Sequence, residues 1–416
     1  MEKAKKQTAK KEEFKSEVHK HHIQAERTAR HYGFVHFDDL EVEKQDLQKV
    51  KNFKDSKKNS FTDKDSIFSF DNLLEEKIAI MRAYTEKKMA DLHQPPAIYY
   101  SGPLKGNPHH GDKGKLRPFN IDIIGNAKSI ADAMVIETAY IILKEHLTEE
   151  ADLLIEINSI GDKDSFARFT REFAAFAKRR ASDIPANIRQ SFKKDPFTLF
   201  TCKEDSCLML QEEAPKPMSY LTEQSRDHFR EVLEYIESLS LPYTINHSLI
   251  GSKHYSSGTI FQIVKVTTDK SGKMKREVLA IGERYNTIAR KAWGKKEVPA
   301  IGATMLVDEK GIKPVKKAVR VEDIRFYFIQ LGYDAKLKSL SIIEMLRVAN
   351  IPVHQSLSRD KITSQLQAAE NLKVPYILIL GQKEAIENSV TVRHISTRVQ
   401  ETVHVNDLIE YLKKLP

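Results

Sequence analysis

The sequence predicts two units, an α+β body on an antiparallel sheet and a small α/β domain behind it. Three observations carry this. Extended segments at Ala97–Tyr100 and Asn120–Ile124, and again at Thr259–Thr267 and Glu277–Gly282, alternate with polar turns and read as antiparallel hairpins. Strand-like and helix-like segments alternate from Arg325 to the last residues, the pattern of an α/β unit. Between them Lys313–Arg320 is basic and poor in large apolar groups, as a linker is.

Each element follows from its own pattern. Residues 1–30 hold nine Lys/Arg and five Glu, with Phe14, Val18 and Ile23 the sizeable apolar groups after Met1. They read as a basic extension, partly helical or disordered, with little to bury. A second polar stretch runs from Lys49 to Asp65. Leu73–Met89 carries Leu73, Leu74, Ile78, Ile80, Met81, Tyr84 and Met89 at helical spacing. The hairpin of 97–100 and 120–124 has a long tip, Ser101–Pro118, rich in Gly, Pro, Lys and His. Ala131–Leu147 reads as a helix, Asp152–Asn158 as a buried strand and Ser165–Arg180 as another helix. An insertion spans 165–219, and its part from 181 on is expected to be irregular because Pro185, Pro196, Pro215 and Pro217 interrupt it. Thr222–Ser240 is amphipathic. After the linker come strands at Arg325–Leu331, Val353–Gln355, Tyr376–Leu380 and Val390–His394, and helices at Ala335–Ala349, Lys361–Asn371 and Val405–Leu415.

Composition narrows the function classes. The 416 residues carry 67 Lys+Arg against 58 Asp+Glu, a formal charge of +9, which favours an anionic partner such as nucleic acid. No apolar run is long enough for a membrane span, and the N-terminus lacks the apolar segment of a secretory signal, so a cytoplasmic protein without membrane contact is expected. Cys202 and Cys207 are too few for a disulfide framework and too widely spaced, without a second pair, for structural zinc. His19, His21 and His22 lack a Cys or spaced acidic partner. No metal is expected.

Several segments, in order, are similar to the histidyl-tRNA synthetases, class II aminoacyl-tRNA synthetases. They are Leu73–Tyr84 (LLEEKIAIMRAY, against LRPEGTA..VRAY), Ile98–Leu104 (IYYSGPL), Ala131–Ile136 (ADAMVI), Glu156–Gly161 (EINSIG) and Thr222–Tyr243. Tyr255–Phe261 (YSSGTIF), Gly282–Asn286 (GERYN), Val298–Gly302 (VPAIG) and Val374–Gly381 (VPYILILG) complete the set. The resemblance runs from about Tyr32 to the C-terminus. It implies a class II core with a six-to-seven-stranded antiparallel sheet over 31–312, a linker at 313–324, an anticodon-binding α/β domain over 325–416, and a homodimer.

The reaction of that family joins a carboxylate to ATP and passes the acyl group to a tRNA ribose, so fixed cations must meet two anions. Arginine suits this because its planar fork binds phosphate or carboxylate bidentately and stays charged. At three family arginine positions this sequence has none. Gly106 stands in the hairpin tip, Gly251 replaces the arginine of LVRGLDYYTGTVFE within Leu249–Gln262 without a gap, and Glu309 replaces the arginine of VPAVGFAIGLERL within Val298–Glu309. A carboxylate facing phosphates repels them. Smaller departures agree: Ile78 for Thr, Pro118 for Gln, Met134 for Glu and Leu40 for the motif 1 Pro.

The resemblance thus implies a protein of synthetase shape without catalytic residues and without a cofactor, ATP and Mg being needed only if it is active. Glu76, Asp122, Tyr255, Gly258 and Arg284 mark a vestigial ligand pocket. They persist either as satisfied polar groups of the core or as a pocket remodelled for another small ligand. Arg359, Lys361 and Gln365 fall where the family's helix start faces the anticodon, and Lys273–Arg276, Arg290–Lys296 and Lys310–Arg320 add positive charge. Trp293 is either packing or a base-stacking surface. The expected partner is tRNA or another structured RNA, with a protein partner also open. The alternatives are a divergent active histidine–tRNA ligase using Lys105 or Lys253 as its cation, and a regulatory subunit of the ATP phosphoribosyltransferase type, which normally lacks an anticodon-binding domain.

Overall fold

A computed structural model describes residues 22–38, 40–53, 69–92, 95–102, 104, 118–147, 151–202, 204–268, 272, 274–307, 324–356 and 359–415. The larger unit is an eight-stranded sheet in the order β1-β2-β3-β8-β7-β6-β4-β5. Its strands are β1 (Val35–His36), β2 (Ala97–Ser101), β3 (Pro118–Ile124), β4 (Asp152–Ser159), β5 (Tyr243–Ile245), β6 (Ser257–Thr268), β7 (Met274–Arg284) and β8 (Ala300–Leu306). The six central strands run antiparallel, while β1 lies parallel to β2 and β5 parallel to β4 at the two edges. The expected six or seven antiparallel strands therefore need correcting by two short parallel edges. Two- and three-residue strands are too brief to leave an alternating pattern in sequence.

Helices cover both faces of this sheet, and three more pack together in the insertion. They are α1 (Ile23–His31), α2 (Lys44–Lys49), α3 (Leu74–Glu86), α4 (Ser129–Glu145), α5 (Lys163–Arg179), α6 (Ala186–Lys194), α7 (Asp205–Glu213), α8 (Glu223–Ser238) and α9 (Ile288–Trp293). Because side chains alternate across a strand, Phe119, Ile121 and Ile123 of β3 pack with Ile301, Ala303 and Met305 of β8 in a core shared with α1, α4 and α8. Ile98, Tyr100, Ile124 and Ala300 point the other way, into a second core with α3 and α9. Helix α4 is buried through Leu143 on every side, which explains its nearly unbroken apolar sequence.

The second unit is a five-stranded sheet in the order β10-β9-β11-β12-β13. It comprises β9 (Phe326–Gln330), β10 (Val353–Gln355), β11 (Tyr376–Leu380), β12 (Ser389–His394) and β13 (Gln400–His404), with α10 (Tyr333–Val348), α11 (Ile362–Asn371), α12 (Gln382–Glu387) and α13 (Val405–Lys414). β10, β9 and β11 are parallel and β11, β12 and β13 antiparallel.

Three expectations are corrected here. Residues 22–30 are not a tail with little to bury: Ala25, Thr28 and Ala29 of α1 are buried, and Tyr32 and His31 hydrogen-bond to Glu344 and the Ile343 carbonyl of α10. Small alanines pack closely without a large apolar signal in the sequence. The segment after 181 is not irregular either. It holds α6 and α7, whose Phe192, Cys207 and Leu210 close over Phe169, Phe173 and Phe176 of α5; Pro185 caps α6, Pro196 and Pro217 open short 3-10 turns, and Pro215 lies outside any helix. Finally, Cys202 and Cys207 are joined by a disulfide, with Cα atoms 5.9 Å apart. The part of the hairpin tip from 105 to 117 and the linker from 313 to 323 lie outside the described residues.

Gly282 of β7 pairs in register with Phe261 of β6, and a Cβ added there would lie 2.3 Å from the Phe261 ring and 2.9 Å from the Gly302 carbonyl oxygen. Overpacking of this kind costs about 1–3 kcal/mol. Gly282→Ala should therefore lower the unfolding free energy by an amount of that order, read as a lower urea midpoint at unchanged slope; an unchanged midpoint would mean that the strands close differently.

Candidate active site

The strand register builds the site. Asp122 of β3 is opposite Gly302 of β8, and Gly302 is opposite Glu283 of β7, so the three form one row across adjacent strands on the α3 face. Gly302 leaves that row open in the middle: a Cβ there would come within 1.8 Å of Asp122 Oδ1 and 2.8 Å of Lys77 Nζ. Lys77 enters the gap from α3. Its Nζ donates to Asp122 Oδ1 at 2.6 Å and lies 4.9 Å from the centroid of the Tyr285 ring. The Tyr285 hydroxyl donates to the same Asp122 oxygen at 2.7 Å. Glu76, one residue before Lys77, accepts from the Leu104 N–H at 3.1 Å.

Charge is unbalanced in this pocket. Asp122, Glu76 and Glu283 are buried carboxyls, and among the described residues the buried cations are Lys77, Arg82, Arg284 and Lys336. Arg82 is paired with Asp46 and Lys336 with Asp360, so Lys77 is the one within the row. Burial raises the Asp122 carboxyl, against the opposing pull of Lys77. Burial also pushes Glu283 up to about 8, although the hydrogen bond from Ser256 and the charge of Lys77 oppose the rise. Asp122 Oδ2 and Glu283 Oε1 have no hydrogen-bond partner among the described residues.

The loop from Leu249 to Gly258 closes the pocket from the β6 side. Gly251 has φ +61°, and the place of its absent Cβ is taken by Ser256 Oγ at 2.6 Å and Ile260 Cδ1 at 2.8 Å. Ser256 Oγ accepts from the Ser252 N–H and donates to Glu283. Ser252 Oγ donates to Asp71 at 2.6 Å. The loop is thus held by its own small side chains. Lys253 turns away from the pocket to pair with Asp195 in the insertion.

The predicted residues divide. Glu76 and Asp122 line the pocket. Tyr255 is buried in the same core, its hydroxyl donating to the Phe70 carbonyl. Gly258 holds φ +57° with its N–H on the Gly161 carbonyl at 2.7 Å, a turn that favours glycine. Arg284 is a correction. Strand alternation puts it on the opposite face from Glu283 and Tyr285, where it clamps Asp132 of α4 and donates to the carbonyls of Asn126 and Lys128. Arg284 and His228 together hold the Asp132 carboxyl below its usual range, against its burial. The residues that sequence reasoning missed are Lys77 and Glu283. Both had a signal: Lys77 stands at the glycine of LRPEGTA, and Glu283 shares a face with Tyr285 in GERYN. Gly106, Glu309 and Lys105 lie outside the described residues.

In the second unit Lys361 is exposed at the start of α11, and Arg359 donates to the Ser364 carbonyl at 2.5 Å. Gln365 is corrected as an RNA contact. It is fully buried, accepting from the Gln330 N–H and donating to the Gln330 and Arg359 carbonyls. It packs α11 onto β9. Trp293 is half-buried beside the α3 core with the Lys49 ammonium over its ring, which favours the packing role. Arg276 pairs with Glu156 and Arg290 with Glu297. Among the described residues no group of three or more His, Cys, Asp or Glu is placed to hold a metal ion, and no helix is long and apolar enough to cross a membrane.

Comparison with known proteins gives a consistent result. Residues 326–415 match the family described as anticodon binding domain. Over 341 residues the chain is 29% identical to the histidine–tRNA ligase of Bacillus subtilis, covering 80% of this chain and 79% of that protein. The histidine–tRNA ligase of Halothermothrix orenii is 27% identical over 352 residues, 81% of this chain and 80% of its own. A crystal structure of apo S. aureus histidyl-tRNA synthetase aligns over 94% of both chains with 20% identity and a TM-score of 0.48.

The Glu283 carboxyl gives a pH test. Its folded pKa of about 8 exceeds the ordinary glutamate value of 4.5, so between those values the folded state holds a proton that the unfolded state releases. The stabilisation is complete below the lower value and is lost as pH rises through the higher one. Melting temperature should fall across this window, and Glu283→Gln should flatten the fall. An equal slope in the variant would place the titrating group elsewhere.

Proposed function

This chain belongs to the histidyl-tRNA synthetase family, and we propose that it binds tRNA or another structured RNA without charging it. The observation that carries the proposal is the loop at Gly251. The arginine expected there in an active relative would help activate the amino-acid carboxylate. Here the space beside the backbone is filled by Ser256 and Ile260, and the loop is locked by Ser256, whose hydroxyl accepts from the Ser252 N–H and donates to Glu283. A fixed cation in such a site typically contributes several kcal/mol of transition-state stabilisation, about 3–4 for one lost donor. Gly106 and Glu309, at the other two arginine positions, point the same way from sequence. The relatives are named as ligases, so the loss of charging is the feature in which this protein would depart from them.

The anticodon-binding match and the net charge of +9 support RNA as the partner. Lys361 at the start of α11 is the exposed cation best placed among the three anticodon-side candidates, with Arg359 beside it. A homodimer in the cytoplasm, working without a cofactor, completes the reading.

A rebuilt ligase is the second reading. Its candidate cation Lys253 is engaged by Asp195, which weakens it. A regulatory subunit of the ATP phosphoribosyltransferase type is disfavoured by residues 326–415.

The test is aminoacylation of total tRNA with radiolabelled histidine and ATP, beside filter binding of the same tRNA at several salt concentrations. The expected result is no charging, saturable binding, and log affinity falling linearly with log salt. Charging of tRNA would overturn the proposal.

A further inference from the structure

We infer that Lys77 is an internal ligand: its ammonium fills the place of a small primary ammonium group in an anionic cage, and the chain thereby closes its own pocket to amines. The inference rests on the reading that this pocket is not a working catalytic site, and it says what occupies it instead.

The argument is one of charge and space. The carboxyl groups of Asp122, Glu283 and Glu76 are buried within one region of the α3 face, and two of their oxygens, Asp122 Oδ2 and Glu283 Oε1, lack a hydrogen-bond partner among the described residues. A buried Asp122 carboxylate without a cation is costly, because burial removes its water without replacing it. The gap above Gly302 is the point where a cation can lie between the strands of Asp122 and Glu283, and glycine is what keeps that point open. The Tyr285 ring face adds a surface suited to an ammonium group. Lys77 Nζ sits there, on the end of a four-carbon stem with almost no solvent contact. A lysine head and a free alkylammonium are the same chemical group, so the cage is built for that class. With Gly251 in place of arginine, no cation among the described residues of the pocket is left to meet a carboxylate, so an amine without a carboxylate fits it better than an amino acid.

Chemical rescue tests this on the full-length protein without ATP or RNA, so its outcome is independent of the charging assay. Lys77→Ala leaves a space of about the size of ethylammonium. Ethylammonium chloride should raise the melting temperature of Lys77→Ala saturably, by roughly 2–4 °C, and leave the unsubstituted protein unchanged. Sodium or tetramethylammonium at equal ionic strength should not substitute. The same shift in both proteins, or no shift in a folded Lys77→Ala, overturns the inference. Should Lys77→Ala fail to fold, Lys77→Met is compared with Lys77→Met/Asp122→Asn. Removing the stranded carboxylate should recover folded, soluble protein relative to the single variant, and a double variant no better than the single one also overturns it.

Discussion

The ion pair of Lys77 and Asp122 sits between α3 and the middle of the sheet with both charged groups out of contact with water. Burying two charges is expensive, and their attraction offsets the cost only where geometry is good and the remaining polar atoms are bonded. Here Tyr285 supplies a second hydrogen bond to Asp122 and its ring faces the ammonium, while Gly302 provides the space. Removing either charge alone would strand the other, and that typically costs about 3–5 kcal/mol. The pair therefore fixes α3 to β3 and determines what else can enter the pocket.

A second buried pair does the same on the other face. Arg284 of β7 holds Asp132 of α4 and ties the loop carbonyls at 126 and 128 to the sheet. Consecutive residues 283, 284 and 285 thus serve opposite faces, two building the pocket and one anchoring the covering helix. Asp122, Arg284 and Tyr255 all carry hydrogen bonds that the folded core needs, whatever the pocket does.

Much of this was legible in the sequence. Periodicity located α3 over Leu74–Glu86 and α8 over Glu223–Ser238 to within a few residues, and Val353–Gln355 and Tyr376–Leu380 appear with the expected bounds. The ungapped pattern around Gly251 identified the loop that closes the pocket. The failures have physical causes. Helix α1 packs through alanine and threonine, which give weak apolar periodicity. Around α6 and α7 the prolines cap α6 or open short 3-10 turns, whereas counting them suggested breaks. Gln365 reads as polar, and only the β9 backbone that it bonds reveals why it is buried. Lys77 lies in a helix buried on all sides, where a lysine looks like a surface residue until Asp122 and Gly302 are brought opposite it by register.

The central claim is that the pocket no longer activates an amino acid. The first half-reaction of a synthetase is reversible, joining a carboxylate to ATP and releasing pyrophosphate, so histidine-dependent exchange of labelled pyrophosphate into ATP measures it without tRNA. With the arginine position at Gly251 filled by Ser256 and Ile260 and Lys77 paired to Asp122, exchange should stay at the level seen without histidine. Saturable exchange that requires histidine would contradict the account.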